Sequence, residues 1–397
     1  VNRMIDRRSL IAGAAALALP VPAWTRSVTS LATLGAAKGI RFGSTVGKDN
    51  FADPGYRALN AAQCALVVPE NEMKWSITRP DAQHFDFRAA DRIVDWAGAN
   101  GLGVRGHTLL WHSERWMPQW VAEHDYGPNP RAEAERLLTD HVATVAGRYA
   151  DRIDSFDVVN EAIDSETGAL RDTALSRHIG AFETIDIAFH TARAAAPKAQ
   201  LVYNDYMGWR ADEGLHRDAV LRLLEQMRKR GTPVDALGIQ SHLGSKFSDT
   251  PTGLGSLDEP AFRRFLDQVT GMGLDLLVTE MDVHDNPLPG AIDPRDAQVA
   301  AHAKAYLDLM LSYPQTKTVM CWGLSDRYSW LSGMRLRPDG MAKRPCPFDA
   351  DFRPKPSAMR SRRLLPPHQT AEVKSRRTAG RRSGGPQSSA HRCCGSR

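Results

Sequence analysis

The sequence predicts an α/β protein folded as a single (β/α)8 TIM barrel, with its active site at the C-terminal ends of the strands. Three observations carry that expectation. Short apolar runs recur eight times between residues 39 and 330. Longer helical segments separate them, and strand alternating with helix implies parallel strands joined by crossovers. Each run also stops abruptly in polar or aromatic residues, as a strand does when it delivers side chains to a barrel mouth. Eight such units fit a barrel of roughly 250 residues plus insertions. A doubly wound sheet is the alternative, but it usually opens with a glycine-rich turn. GSTVGKD at 43–49 lacks the spacing of a phosphate loop and reads as an ordinary strand-to-helix connection.

The runs, in order, are GIRFGSTV (39–46), CALVVPEN (64–71), LGVRGHTLLWH (102–112), IDSFDVVNEA (153–162), AQLVYNDY (199–206), DALGIQSH (235–242), LDLLVTEMDV (274–283) and TVMCWGLSD (318–326). Between the third and fourth, Asn129-Pro130 can cap and start a helix. Leu138, Val142, Val145 and Tyr149 then share one face. Another helix is expected from Glu259-Pro260, carrying Phe262, Phe265, Leu266 and Val269 and stopping at Gly271.

The barrel is expected over residues 38–356. Ahead of it, MIDRRSLIAGAAALALPVPAW pairs Arg7-Arg8 with an apolar run and a small residue before a cut site. That is the grammar of an export signal of the twin-arginine type, expected over 1–23 and followed by a linker over 24–37. Export to the periplasm or outside the cell follows, with no membrane anchor, because the run is too short to span a bilayer. Residues 357–397 change character: Arg, Ser, Pro and Gly dominate without apolar periodicity, so a disordered tail is expected. The last 38 residues hold ten Arg/Lys against one Glu, a net charge of +9, so the rest of the chain is net −4, against +5 overall. The basic balance therefore describes the tail, and no nucleic-acid partner is expected for the body. The five cysteines, at 64, 321, 346, 393 and 394, form no CxxC pair, and Cys64 and Cys321 read as inert core thiols.

The polar ends of the runs hold the candidate chemistry. In SFDVVNEAID a strand that belongs in the core finishes on Asn160-Glu161. Glu161 and Glu280 end the fourth and seventh runs, which face each other across a barrel mouth. A facing carboxylate pair suits glycoside hydrolysis, where about 5–5.5 Å between carboxyls means retention and about 6.5–9.5 Å inversion. Like charges that close lift one pKa and keep an acid protonated. Trp75, Trp111, Trp322 and Trp330 fall at or just after run ends, where flat indoles beside Asn, Gln, His and Lys make a groove for sugar rings. No HxH or HExxH spacing suggests a metal, and no cofactor is expected. His112 reads as structural, Asp326 and Arg327 as a pair at the rim, and Glu72 as solvated, while Trp96, Trp116, Trp120 and Trp209 read equally as packing or as sugar contacts.

PENEMKW, GHTLLWH, DVVNEA, YNDY, GIQSH, TEMDV and WGLSDRYSW, in that order, resemble glycoside hydrolase family 10, the retaining endo-β-1,4-xylanases. The resemblance implies an endo-hydrolase of xylan and xylo-oligosaccharides acting by double displacement, with a monomer expected. By this resemblance Glu161 is the general acid/base and Glu280 the nucleophile. Asn160 holds the 2-hydroxyl at the cleavage point, and His242, steadied by Asp282, hydrogen-bonds Glu280. Gln240/His242 and Glu280/Asp282 are i, i+2 pairs, so each is expected on one side of its strand. Glu70, Asn71 and Lys74 bind the next sugar outward, His107 and Trp111 line the cleavage site, and Trp322 and Trp330 cap the groove. Asn204, Tyr206 and Gln240 complete the mouth. The chain departs from the family at Glu114, where a glutamine commonly touches the distal sugar, so weaker binding there is expected. The usual closing helix also loses its pattern after RPKPSA. An endo-β-1,4-glucanase or mannanase would use the same glutamates, whereas a non-catalytic sugar-binding module would lack one of them.

Overall fold

A computed structural model describes residues 29–244, 256–286, 288–334 and 336–358. The expected export signal, the expected closing helix and the basic tail lie outside the described residues. Eight parallel strands form the sheet: β1 (Arg41–Val46), β2 (Leu66–Pro69), β3 (Gly103–Gly106), β4 (Ser155–Asn160), β5 (Gln200–Asp205), β6 (Ala236–Ile239), β7 (Asp275–Val283) and β8 (Thr316–Cys321). Each pairs with the next, and Arg41–Ser44 of β1 pair with Thr318–Cys321 of β8, which closes the barrel. Closure leaves no sheet edge exposed. Two-residue extensions, Leu110–Trp111 beside β4 and His242–Leu243 beside β7, lengthen the wall at the mouth.

The strands are nearly continuous apolar runs because both faces are covered. β4 is buried from end to end, as are all but the first residues of β5 and β7. The helices between them form where an apolar stripe meets a start signal. Pro130–Arg148 begins at Asn129, whose side chain accepts from the Ala132 N–H, and buries Leu138, Val142 and Val145. Glu259–Gly271 begins on the Asp258 cap, with Phe262, Phe265, Leu266 and Val269 inward. Each is the helix expected from sequence.

Four expectations change. The stretch 24–37, expected as linker, contains the helix Leu31–Ala36, capped by Ser30 and with Leu31 and Leu34 buried, so the packed body begins before residue 38. Glu72 is not solvated: it is buried and accepts from the Lys48 N–H (2.6 Å) and the Asn71 N–H (3.1 Å). Asp326 does not pair with Arg327. It is buried against Lys355 Nζ at 3.0 Å, while Arg327 turns to Asp53 at 3.4 Å. Finally, Gln240 and His242 do not share one regular strand. β6 ends at Ile239, and Ser241 takes a left-handed φ of +65°, held by its hydroxyl on Ile239 O and Tyr306 Oη.

Candidate active site

The mouth of the barrel is assembled by its own backbone ladder. The Glu161 N–H donates to Asn204 O, the Gln240 N–H to Asp205 O and the Glu280 N–H to Gln240 O, at 2.9–3.0 Å. These bonds carry one rim from β4 through β7 and bring residues far apart in sequence to a common level. Glu161 adopts φ +54°, a left-handed conformation that is uncommon outside glycine and concentrates at functional sites. The strand therefore turns sharply just where the carboxylate must leave the wall.

A hydrogen-bonded chain links the two carboxylates. Gln240 Nε2 donates to Glu161 Oε1 at 2.7 Å and lies 3.3 Å from the Asn160 amide oxygen. The Asn160 and Asn204 amides meet at 2.9 Å, and Asn204 Nδ2 also donates to Glu280 Oε1 at 2.8 Å. Thr279 Oγ1 donates to Asn204 Oδ1 at 2.7 Å, so the Asn204 amide is committed on both sides. Asn204, expected from sequence to complete the mouth, is instead fully buried behind the cleft wall and positions Glu280. The reason is Gly238: a Cβ there would sit 2.3 Å from Asn204 Oδ1, so only glycine lets the amide pack so deep.

Glu280 has His242 on its other oxygen, with Nε2 to Oε2 at 3.4 Å. His242 Nδ1 lies 3.0 Å from Asp282 Oδ1, and Asp282 Oδ2 accepts from Trp330 Nε1 at 2.7 Å. Burial works against charge on His242, but the Asp282 and Glu280 carboxylates outweigh it and lift its pKa to about 10. The imidazole thus carries a proton between two acids at neutral pH. Glu161 is set differently. Burial pushes its pKa above the ordinary value, and the Asp205 and Glu280 charges add to that, against hydrogen bonds from Gln240 and Trp111. One carboxyl is held toward its protonated form while the other faces a cation, a division that acid/base chemistry needs.

The cleft has two halves that meet at Trp116, Glu161, Gln240, His242 and Trp330. One, of about 510 Å³, is lined by Glu70, Asn71, Lys74, His107, Trp111 and Asn160, with Glu280 and Trp322. Lys74 Nζ donates to Asn71 Oδ1 at 2.8 Å and lies 4.7 Å from the Trp111 ring centre. Burial raises the Glu70 pKa to about 7 despite Lys74 nearby. His107 is buried and oriented through Nδ1 by Asp157 at 2.9 Å, itself gripped by Arg105. The other half, of about 580 Å³, carries Tyr206, whose hydroxyl meets Ser165 Oγ (2.9 Å) and Arg171 Nη2 (3.0 Å).

All four tryptophans expected at run ends, Trp75, Trp111, Trp322 and Trp330, line the cleft, and Trp75 is the most buried of them, its ring stacked on His141 at 3.8 Å. Trp116, which sequence left equally open to packing, is 42% exposed and stacks on Trp111 at 4.6 Å. Glu114 does not point at a sugar site: its oxygens hold Arg177 (2.9 Å) and the Ala174 N–H (2.7 Å). His112 is structural, buried with Nε2 at 3.0 Å from Arg171 O. Among the described residues no group of three or more His, Cys, Asp or Glu is arranged to hold a metal ion.

A closed (β/α)8 barrel with two carboxyls in opposed environments on one rim, inside an aromatic-walled groove, defines the glycoside hydrolase class. Residues 30–362 match the sequence model of Glycosyl hydrolase family 10, and the chain belongs to that family. It is 32% identical to endo-1,4-beta-xylanase B of Paenibacillus barcinonensis over 352 residues, covering 86% of this chain and 97% of that one. Among solved structures, native xylanase 10B of Thermotoga maritima superposes with a TM-score of 0.74 at 29% identity, covering 85% and 98% of the two chains. Xylanase 10B of Thermotoga petrophila, solved in complex with xylobiose, gives 0.73 at 29% identity, covering 84% and 97%.

Proposed function

We propose that this protein is a retaining endo-1,4-β-xylanase that cleaves internal bonds of xylan through a covalent glycosyl-enzyme. The observation that carries the reading is the opposed setting of two linked carboxyls, Glu161 raised by burial and Glu280 set between Asn204 and a cationic His242. In the first step Glu161 gives its proton to the departing glycosidic oxygen while Glu280 attacks the anomeric carbon. In the second, Glu161, now a carboxylate, takes a proton from water as that water displaces Glu280. Lys74, Asn71 and Glu70 then hold the sugar beyond the cleavage point, with Trp111 and Trp322 against its faces. The named xylanases among its relatives support xylan as substrate, and the neighbour solved in complex with xylobiose supports binding of β-1,4-linked xylose units.

The deciding experiment is hydrolysis of xylohexaose followed by NMR of the first-formed anomer. A β-product that later mutarotates is expected. An initial α-product would mean inversion, and faster turnover of carboxymethylcellulose than of xylan would reassign the substrate.

A further inference from the structure

The cleft half that holds Glu161 but not Glu280 faces the departing part of the substrate, and it carries charge that the proposed chemistry does not use. Three arginines line it. Arg171 is tied to Ile163 O (3.1 Å), Tyr206 Oη (3.0 Å) and Asp164 (3.8 Å). Arg210 is held by Asp212 and Glu213. Arg115 is exposed, and among the described residues its partner is a ring and not a carboxylate: its Cζ lies 4.8 Å from the centre of Trp116. Trp116 stacks on Trp111, against which Lys74 lies in turn, so a ring pair with one cation against each ring runs from one half of the cleft to the other. The two cations differ in company. Lys74 feels Glu280, Glu70, Glu161 and Glu72, whereas Arg115 forms no ion pair among the described residues.

The base of Arg115 is fixed. It sits in the single turn Glu114–Trp116, which Glu114 fastens to Arg177 and to the Ala174 N–H. A guanidinium stacked on an indole keeps its N–H edge open, and that edge matches a carboxylate with two parallel hydrogen bonds. Holding it in advance lowers the ordering cost of binding.

We propose that Arg115 receives a carboxylate carried as a branch on the leaving-group part of the chain, so that xylan bearing uronic-acid branches is preferred over neutral xylan. This rests on the xylanase reading above. Glu166, the exposed carboxylate on the same wall with no ion pair among the described residues, works against that preference.

The test compares kcat/KM on a uronic-acid-branched xylo-oligosaccharide with that on unbranched xylohexaose, for the wild-type chain, Arg115→Gln and Glu166→Gln. The ratio is expected to fall about fivefold in Arg115→Gln, the size of a modest charge-assisted contact, and to rise in Glu166→Gln. The Arg115 effect should shrink in about 0.5 M salt. An unchanged ratio in Arg115→Gln overturns the proposal, including the case where both substrates decline together because Trp116 has lost its support. Failure of the wild-type chain to cleave xylohexaose at all would instead remove the xylanase reading.

Discussion

At the scale of single residues, the site depends on making two chemically identical side chains behave differently. Glu161 reaches its place through a left-handed backbone and is half-buried, and its loss of solvent together with the Asp205 and Glu280 charges favours its neutral form. Glu280 is instead gripped by an amide donor and a protonated imidazole. Removal of the proton donor should therefore hurt according to how much the leaving group needs a proton. Glu161→Ala is expected to lower kcat/KM on xylan by about 10²–10⁴-fold. On an aryl xylobioside with an acidic phenol it should still release one equivalent of phenol in a burst, because Glu280 can attack unaided and only deglycosylation is slowed. Stopped-flow absorbance reads this directly, and loss of the burst would remove Glu161 from the acid/base role. Gln240 offers a subtler check. Its amide donates to Glu161 and stabilises the ionised form, so Gln240→Leu should move the alkaline limb of the kcat/KM profile to higher pH. A limb that stays in place would show that another group sets it.

At the scale of elements, the strands are wall and their ends are chemistry, but the wall is not passive. β6 contributes Gly238, whose missing side chain leaves room for Asn204 from β5 to reach Glu280 on β7. In Gly238→Ala the new methyl would meet an amide that Asn160, Thr279 and Glu280 prevent from swinging away. A stability loss of about 1–3 kcal/mol is expected, with kcat falling more than KM rises. A thermal melt and steady-state kinetics on xylohexaose check it, and unchanged values would show that Asn204 relocates easily. This also marks what the chain announces and what it hides. Strand ends were legible because apolar runs that stop on Asn-Glu or Glu-x-Asp break the pattern of buried strands. Gly238 and Thr279 were not, since a glycine and a threonine inside a strand carry no sign of the partner above them. Glu72 was misread because one of its two donors, the Lys48 N–H, comes from the segment after β1, 24 residues earlier. Gln240 and His242 both face the cleft, but not by the two-residue period of an extended strand, because Ser241 between them departs from that backbone. Trp116 stayed undecided because indole spacing cannot tell a packed ring from one stacked on a groove-lining neighbour.

At the scale of the whole molecule, charge buried at the mouth ties catalytic readiness to stability. Asp326 shows how far from its neighbours a partner can lie: Lys355, 29 residues on, fastens the segment after β8 to the barrel, with Asp296 and Arg344 beside it. Proton linkage then gives each perturbed group a sign. Glu70, near 7, and Asp326, near 6, are raised acids that hold protons in the fold which the unfolded chain would release, so both erode stability as pH climbs to 7. His112 and His302, near 4, are lowered bases whose contribution is lost as pH falls below the ordinary imidazole range, so over the same interval they act the other way. By about pH 8 these four have finished titrating and His242 sets the slope, joined above about 9 by the buried thiols of Cys64, Cys321 and Cys346, which burial raises and which act in the same direction. The raised value of His242 means that its stabilisation is complete below about 6.5 and is lost as pH rises through about 10. Wild-type protein should therefore lose stability between pH 7 and 10, by up to about 1.4 kcal/mol per pH unit from this one proton. In His242→Asn the slope should flatten, so that the variant is much the weaker protein at pH 6.5 and nearly its equal at pH 10. Urea melts of both chains across that range decide the matter. Parallel curves would mean that the imidazole is neutral in the fold, and Glu280 would then face no cation.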